Sequence, residues 1–452
     1  MLLLKNVCQY KLIFVTLSKM TSKHNISIIG AGAAGCFCAV MLKRLAPDAE
    51  VTVYERGTRA LAKVSVTGGG RCNLTNSFAH FTDGVRRYHD LHLASPRGSK
   101  LMQRVLSMFS HEDTMKWFDA EGVKLVVQPD ECVFPQSQDA MEIVNTLLSA
   151  MRRKGVRLET SMKLLSIETD EDDGYRLSFE NRDKGKMTNV TVSSDCVVIA
   201  TGGGSAPFLH SLNVKMTDTL PSLFTFNLAG ADKKEPARGD APCQELMGTV
   251  VENVEVKLGG TKLCAHGPLL WTHWGMSGPA ILKLSSYAAQ VLATNDYQGT
   301  LIVNWCGEMD GSEVEMMLRN LLERNSGKLI ANVWPPFLTQ KHWGWLLRFA
   351  KVPTTQRCDA VNAKQMSNLL SALTSQQFTI TGRCHYKDEF VTCGGVSLGE
   401  IDKKTLEHRR IPRLYFAGEA LDVDAITGGF NLQAAWSTAS CVARAVADSI
   451  TV

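Results

Sequence analysis

The chain has 452 residues, room for about three domains at roughly 150 residues each. Hydrophobic residues make up 44% and charged residues 21%, the balance of a packed globular protein and not of a disordered one. The formal charge of +4 is too small for a general nucleic-acid binder, and it traces to one end: residues 1–24 carry Lys5, Lys11, Lys19 and Lys23 and no acid, while the remaining 45 basic side chains match the 45 acidic ones.

That basic end is weakly apolar and lacks arginine, so it reads either as a transit peptide or as a tail, with Met20 as an alternative start. Its apolar run, Leu12 to Leu17, is far shorter than the ~20 residues of a membrane-spanning helix. Thirteen cysteines without a CxxC pair suit buried thiols in a reducing compartment, not a disulfide framework or a zinc site. The expected location is intracellular: cytoplasmic by default, mitochondrial if residues 1–24 are a transit peptide.

Residues 26–30 read as a short buried strand, Ala33 to Leu45 as a helix and Glu50 to Glu55 as a second strand, a βαβ unit. Residues 98–121 carry two helical patterns with a break near Ser110. Val123–Val127 and Glu131–Phe134 flank Gln128-Pro129-Asp130 as a hairpin. Ser137 is the expected N-cap of a helix ending at Gly155. A run of strands follows: Val156–Glu159, Leu164–Glu168, Tyr175–Phe179, Val190–Val192 and Cys196–Ala200. Residues 206–312 read as a β-barrel-like insertion and 313–377 as a helical one. Residues 25–205 and 378–452 together form the expected discontinuous nucleotide-binding domain, closing with the strand Leu414–Ala417 and a helix from Asn431. The fold class is therefore α/β, Rossmann-like, with an inserted barrel-like and helical domain.

Four motifs carry chemistry. Gly30-Ala31-Gly32-Ala33-Ala34-Gly35 lies between a strand and a helix, with Glu55 ending the next strand. Gly30 allows the tight turn, Gly32 lets a pyrophosphate approach the backbone, and Gly35 lets helix and strand pack closely. The helix N-terminus favours phosphate, and Glu55 suits a ribose hydroxyl. Thr67 to Asn76 contains three successive glycines, ending in Gly70, then Arg71, Cys72 and Asn73. Its backbone can lie against an anionic or flat ligand, Arg71 offers a permanent cation, and Asn73 offers a donor and an acceptor. Gly418-Glu419 ends a buried strand, and the stretch from Gly428 to Gln433 opens the last helix, whose positive end suits a ring that gains negative charge on reduction. Trp271 to Pro279 places His273 between two tryptophans as a candidate proton-transfer group.

The order of these blocks resembles FAD flavoproteins of the two-dinucleotide-binding type. Gly68 to Asn76, with Glu55-Arg56 and Lys63 before it, is similar to the signature of a flavoprotein family described as NAD(P)/FAD-dependent oxidoreductases, which includes bacterial aminoacetone oxidase and a reductase of bile-acid dehydroxylation. The likeness continues through Phe134–Ser137, Ala200-Thr201-Gly202-Gly203, Thr272–Pro279, Val391–Val396, Tyr415–Asp424 and Gly428–Gln433, over residues 26–447. Ala425, Phe430 and Thr438 depart from the pattern, where glycine, tyrosine and glycine are usual.

The resemblance implies bound FAD, held by Gly30, Gly32, Ala33, Ala34, Gly35, Glu55, Arg56, Lys63, Gly70, Arg71, Cys72, Asn73, Thr201, Gly202, Gly203, Gly418, Glu419, Asp424, Gly429, Phe430, Asn431 and Gln433. The chain has no second strand-linked GxGxxG, so NAD(P)H is expected only as a transient reductant. The expected activity is hydride or two-electron exchange between flavin and a small organic substrate: an amine, an amino ketone or a conjugated enone. A flavin-dependent RNA-modifying enzyme and an FAD-binding protein without turnover are the alternatives. No metal is expected.

Overall fold

The computed structural model describes residues 24–81, 88, 90–170, 174–183, 186–204, 206–231, 233, 241–384 and 391–451. The expected leader or tail lies outside them. Five parallel strands form the central sheet, in the order Leu414–Phe416, Cys196–Ile199, Asn25–Ile29, Glu50–Tyr54 and Arg157–Glu159. The three inner strands are short runs rich in Val and Ile; Ile26, Ile28, Val197 and Val198 are buried there, as is Leu414 on the next strand, as a sheet covered on both faces requires. One covering face carries the helices Ala33–Leu45 and Phe430–Thr451, which pack along each other. Phe37 of the first meets Trp436 of the second edge to face at 5.3 Å, and the Trp436 indole donates to Leu74 O at 3.0 Å. The first βαβ unit and the helix Phe430–Thr451 thus share one core.

A three-stranded meander, Met162–Thr169, Tyr175–Asp183 and Lys186–Ser194, leads into the strand at 196. The hairpin Leu125–Val127 with Cys132–Pro135 is present, and Thr75–Asn76 joins its edge. The helix after it spans Ala140–Arg153 and is capped by Asp139, whose carboxylate accepts from Met141 N at 2.8 Å. The expected cap, Ser137, instead bonds Glu142. Both residue types cap helices, and the carboxylate two positions closer has the reach.

A second core belongs to a closed barrel: Phe226–Leu228, Gly275–Ser277, Cys264–Trp271, Val250–Leu258, Gly299–Asn304 and Gln376–Arg383. The helices Gly311–Glu323, Gln340–Phe349 and Ala363–Thr374 contribute to the same core. One boundary is corrected. Residues 378–383 were expected in the nucleotide-binding unit, yet their strand closes the barrel against 226–228 and 299–304. Conversely, Met216–Ser222 leaves the barrel and pairs with Val391–Val396.

Candidate functional site

The carboxyl ends of three neighbouring parallel strands lie level, because Ala200 N donates to Ile29 O (2.8 Å) and Ala417 N to Ile199 O (3.0 Å). The loops that follow are Gly30–Gly35, Thr201–Gly204 and Gly418–Glu419, so three glycine motifs from distant parts of the chain open on one edge. Ligands of open parallel sheets bind at that edge.

Each glycine in the first loop has a distinct surrounding. Gly30 has φ +106°, and a side chain there would strike Ala200 backbone. A Cβ on Gly35 would collide with the Gly30 carbonyl, so this residue sets the helix-to-strand distance. A Cβ on Gly32 would meet nothing within 4 Å: it faces an open cradle. Gly32 is also the N-cap of its helix, and no side chain caps it. The amides of Ala33 and Ala34 therefore have no intrahelical acceptor and point toward that cradle. Glu55 is half-buried and anchors the loop, accepting from Ala31 N (2.9 Å) and Gly57 N (2.7 Å). A carboxylate has about four lone-pair positions, which leaves it capacity for a sugar hydroxyl.

The segment after Glu55 returns to the same loop, since Leu61 N donates to Ala31 O at 2.7 Å. This brings Lys63 to within 3.7 Å of Glu419 Oε2, which also accepts from Gly203 N at 3.2 Å. Lys63, Gly203 and Glu419 are thereby gathered at one point, with Gly202 (φ +76°) beside them. Arg56 and Thr201 are exposed. Gly418 (φ +66°) lies so close to the first helix that a Cβ would be 2.9 Å from Ala34 Cβ. Its amide is taken by Thr438 Oγ1 (2.9 Å), one of the positions that departs from the family pattern.

In the second motif, Gly68, Gly69 and Gly70 all have positive φ, and Gly69 and Gly70 face open space. The exposed Arg71 lays its guanidinium over the Phe134 ring at 4.4 Å, with Nη1 3.4 Å from Gln138 Oε1. Asn73, with its amide turned to satisfy both neighbours, donates to Thr75 O (3.0 Å) and accepts from Gly429 N (3.3 Å). A Cβ on Gly429 would strike the Thr75 carbonyl, so the loop before the last helix is pressed directly onto this motif.

Gln433, Cys72 and Asp424 are fully buried, so the expectation that they touch a cofactor is corrected; Asn431 and Phe430, also expected there, engage the protein with their side chains. Gln433 is fully buried, accepting from Thr75 Oγ1 (2.6 Å) and donating to Ser437 Oγ (2.9 Å). Asn431 holds its own loop through Ala425 N (2.9 Å) and Ala425 O (2.8 Å). Phe430 packs edge-on against Phe78 at 5.2 Å. Cys72 is fully buried, and burial pushes its thiol up to about 12, so it is neither a thiolate nor a ligand-facing nucleophile at neutral pH. Asp424 is fully buried in an ion pair with Arg97, and Ser222 Oγ donates to it at 3.0 Å. Arg97 also reaches Ser286 O at 3.0 Å, so this cluster ties the nucleotide-binding unit to the barrel side. Burial disfavours the Arg97 cation, but the bond and charge of Asp424 outweigh it and leave Arg97 raised. Arg97 carried no sequence signal of this role.

His273 stands exposed at the tip of the barrel turn Thr272–Gly275, edge-on to Trp274 at 4.4 Å. The neighbouring Trp274 indole donates to Thr225 Oγ1 at 3.2 Å, a contact within the barrel unit.

A glycine cradle, an uncapped helix N-terminus and an acidic strand end on a parallel sheet define a Rossmann-type dinucleotide-binding protein. The match to the family model described as HI0933-like protein Rossmann domain spans residues 24–445, and the chain belongs to that family of flavoprotein oxidoreductases. Among similar proteins, a ribosomal RNA dihydrouridine synthase of Escherichia coli K12 is 28% identical over 92% of this chain and 96% of its own length. A 3-dehydro-bile acid delta(4,6)-reductase of Clostridium scindens is 25% identical over 94% and 99%. Among solved structures, the 3-ketosteroid-delta4-(5alpha)-dehydrogenase of Rhodococcus jostii RHA1 is 13% identical with a TM-score of 0.48, covering 97% and 99% of the two chains.

Proposed function

We propose that this chain is an FAD-dependent reductase that saturates a carbon–carbon double bond conjugated to a carbonyl. The observation that supports it best is the open cradle at Gly32, flanked by the point where Lys63, Gly203 and Glu419 meet. The residues fit the adenosine diphosphate half of FAD on the structure's own terms: Gly32 leaves room, the Ala33 and Ala34 amides seek an anion, and Glu55 retains acceptor capacity. Bound FAD would supply the two-electron hydride chemistry.

The chain's own residues then have separate tasks. Gly30, Gly32, Ala33, Ala34, Gly35, Glu55 and Arg56 bind the adenosine diphosphate end. Lys63, Thr201, Gly202, Gly203, Gly418 and Glu419 line its continuation. Gly70 and Arg71 face the opening, where the cation favours a group gaining negative charge. Asn73 and Gly429 hold the last helix's N-terminus against that opening, while Gln433, Asn431 and Asp424 fix the wall from behind.

The substrate class rests on shared chemistry in the relatives' names. Making dihydrouridine and reducing a 3-keto-4,6-diene both add a hydride and a proton across a double bond that a carbonyl polarises. The enone class is thus favoured over amines and amino ketones, and uracil in RNA is a member of it by chemistry. NAD(P)H is proposed as the transient reductant. The test is anaerobic: reduce the FAD-loaded protein with NADPH or NADH, then mix it with ribosomal RNA or with a 4,6-dien-3-one steroid and follow flavin reoxidation. Reoxidation with a saturated product in either arm supports the reading; reduced flavin untouched by both refutes it.

A further inference from the structure

We propose that Glu255, Cys264 and His266 form a binding site for a divalent transition ion of the zinc class on the outer face of the barrel. Cys264 and His266 are two residues apart on the strand Cys264–Trp271, so they share a face. Glu255, on the neighbouring strand Val250–Leu258, stands directly opposite His266 in the ladder. The alternate residues Val254, Val256 and Ala265 are buried, which leaves the three polar groups on the partly exposed side.

One ligand atom from each lies within 4.8 Å of the others. A tetrahedral site with bonds of about 2.0–2.3 Å needs separations of about 3.3–3.8 Å, so a small side-chain rotation closes the set. Thiolate, imidazole and carboxylate together select zinc over magnesium or calcium.

A second observation points to a ligand. The His266 ring has no hydrogen-bond partner among the described residues: Nδ1 is buried and unpaired, and Nε2 stands 3.7 Å from Glu255 Oε1, beyond bonding reach. An ion seated between Nε2 and Oε1 would turn this loose approach into ligation by both groups. Glu255 is already prepared for ligation. Lys257 Nζ holds its Oε2 at 2.8 Å, leaving Oε1 toward the histidine, the arrangement of a ligand carboxylate with an outer partner. Binding releases the Cys264 proton to solvent, and the fourth position is left to water. The ion cross-links two adjacent strands just where the helix Pro279–Tyr287 packs, since Lys283 Nζ reaches His266 O at 3.3 Å.

This inference is independent of the flavin reading. The full-length protein is dialysed against zinc at neutral pH, washed in metal-free buffer, and analysed for bound metal, with proton release followed in parallel. About one zinc per chain and one proton are expected, with Cys264→Ser and His266→Gln each weakening retention at least ~10-fold while their melting curves without metal match wild type. Substituting cobalt gives thiolate-to-metal absorption that Cys264→Ser removes. Wild-type protein that retains no more zinc than the Cys264→Ser/His266→Gln double variant overturns the site. So does equal retention by the single variants and wild type.

Discussion

Asp424→Ala tests the claim that a buried charge pair locks the nucleotide-binding unit to the barrel. Asp424 has no solvent exposure, and the Arg97 side chain is 16% exposed. Truncation removes a charge-assisted double contact and the Ser222 bond, leaving Arg97 with Ser286 O and a 3.3 Å contact to Ser222 Oγ. Breaking a buried pair from one side costs about 3–5 kcal/mol, because the surviving charge stays desolvated. Replacing both partners with apolar groups, as in Arg97→Met/Asp424→Leu, costs far less. The assay is urea unfolding followed by tryptophan fluorescence and far-UV circular dichroism, run on Asp424→Ala and on the closed cycle of Arg97→Met, Asp424→Leu and the two together. With two cores among the described residues, the first transition is the one to compare. A single variant within about 1 kcal/mol of wild type, or additive effects of the two substitutions, refutes the lock.

Gly32→Val should fold normally, since a Cβ there meets nothing within 4 Å, but lose flavin at least ~10-fold because the proposed FAD seats its phosphates in that space; absorption of the purified protein reads it, and full occupancy contradicts the cradle. Gly35→Ala has the opposite character: its methyl meets the Gly30 carbonyl, and a loss of about 1–3 kcal/mol or more is expected in thermal melts. His342 is buried among Trp271, Trp305 and Trp345, and burial lowers it to about 3. The unfolded chain takes up that proton near pH 6.5 and the folded chain does not, so stability is full above 6.5 and falls by up to about 1.4 kcal/mol per pH unit between there and about 3. His342→Phe should flatten that slope; an unchanged slope rejects the assignment. Cys72 should resist alkylation in the native protein and react after unfolding, as mass spectrometry of labelled peptides would show.

The βαβ start was legible because its demands are local: glycines at fixed offsets, a buried strand, an acid at the next strand's end. The structure adds the reason for each glycine, one by collision and one by openness. Other roles depend on partners far away in sequence. Asp424 meets Arg97 across 327 positions, and Gln433 meets Thr75 across 358, so both polar residues near a glycine block read as ligands when they are braces. The strand Gln376–Arg383 shows alternating burial that a sequence reveals, but not which sheet it joins; pairing with 226–228 and 299–304 decides that. Ser137 and Asp139 are equally good caps on paper, and backbone direction chooses between them.

The strand Leu414–Phe416 and the helix Phe430–Thr451 are remote in sequence from the Gly30 loop, yet they complete both the sheet and the wall that Gly429 presses against Thr75. The groove therefore exists only once two stretches remote in sequence have met, so its assembly waits on long-range closure and not on local folding.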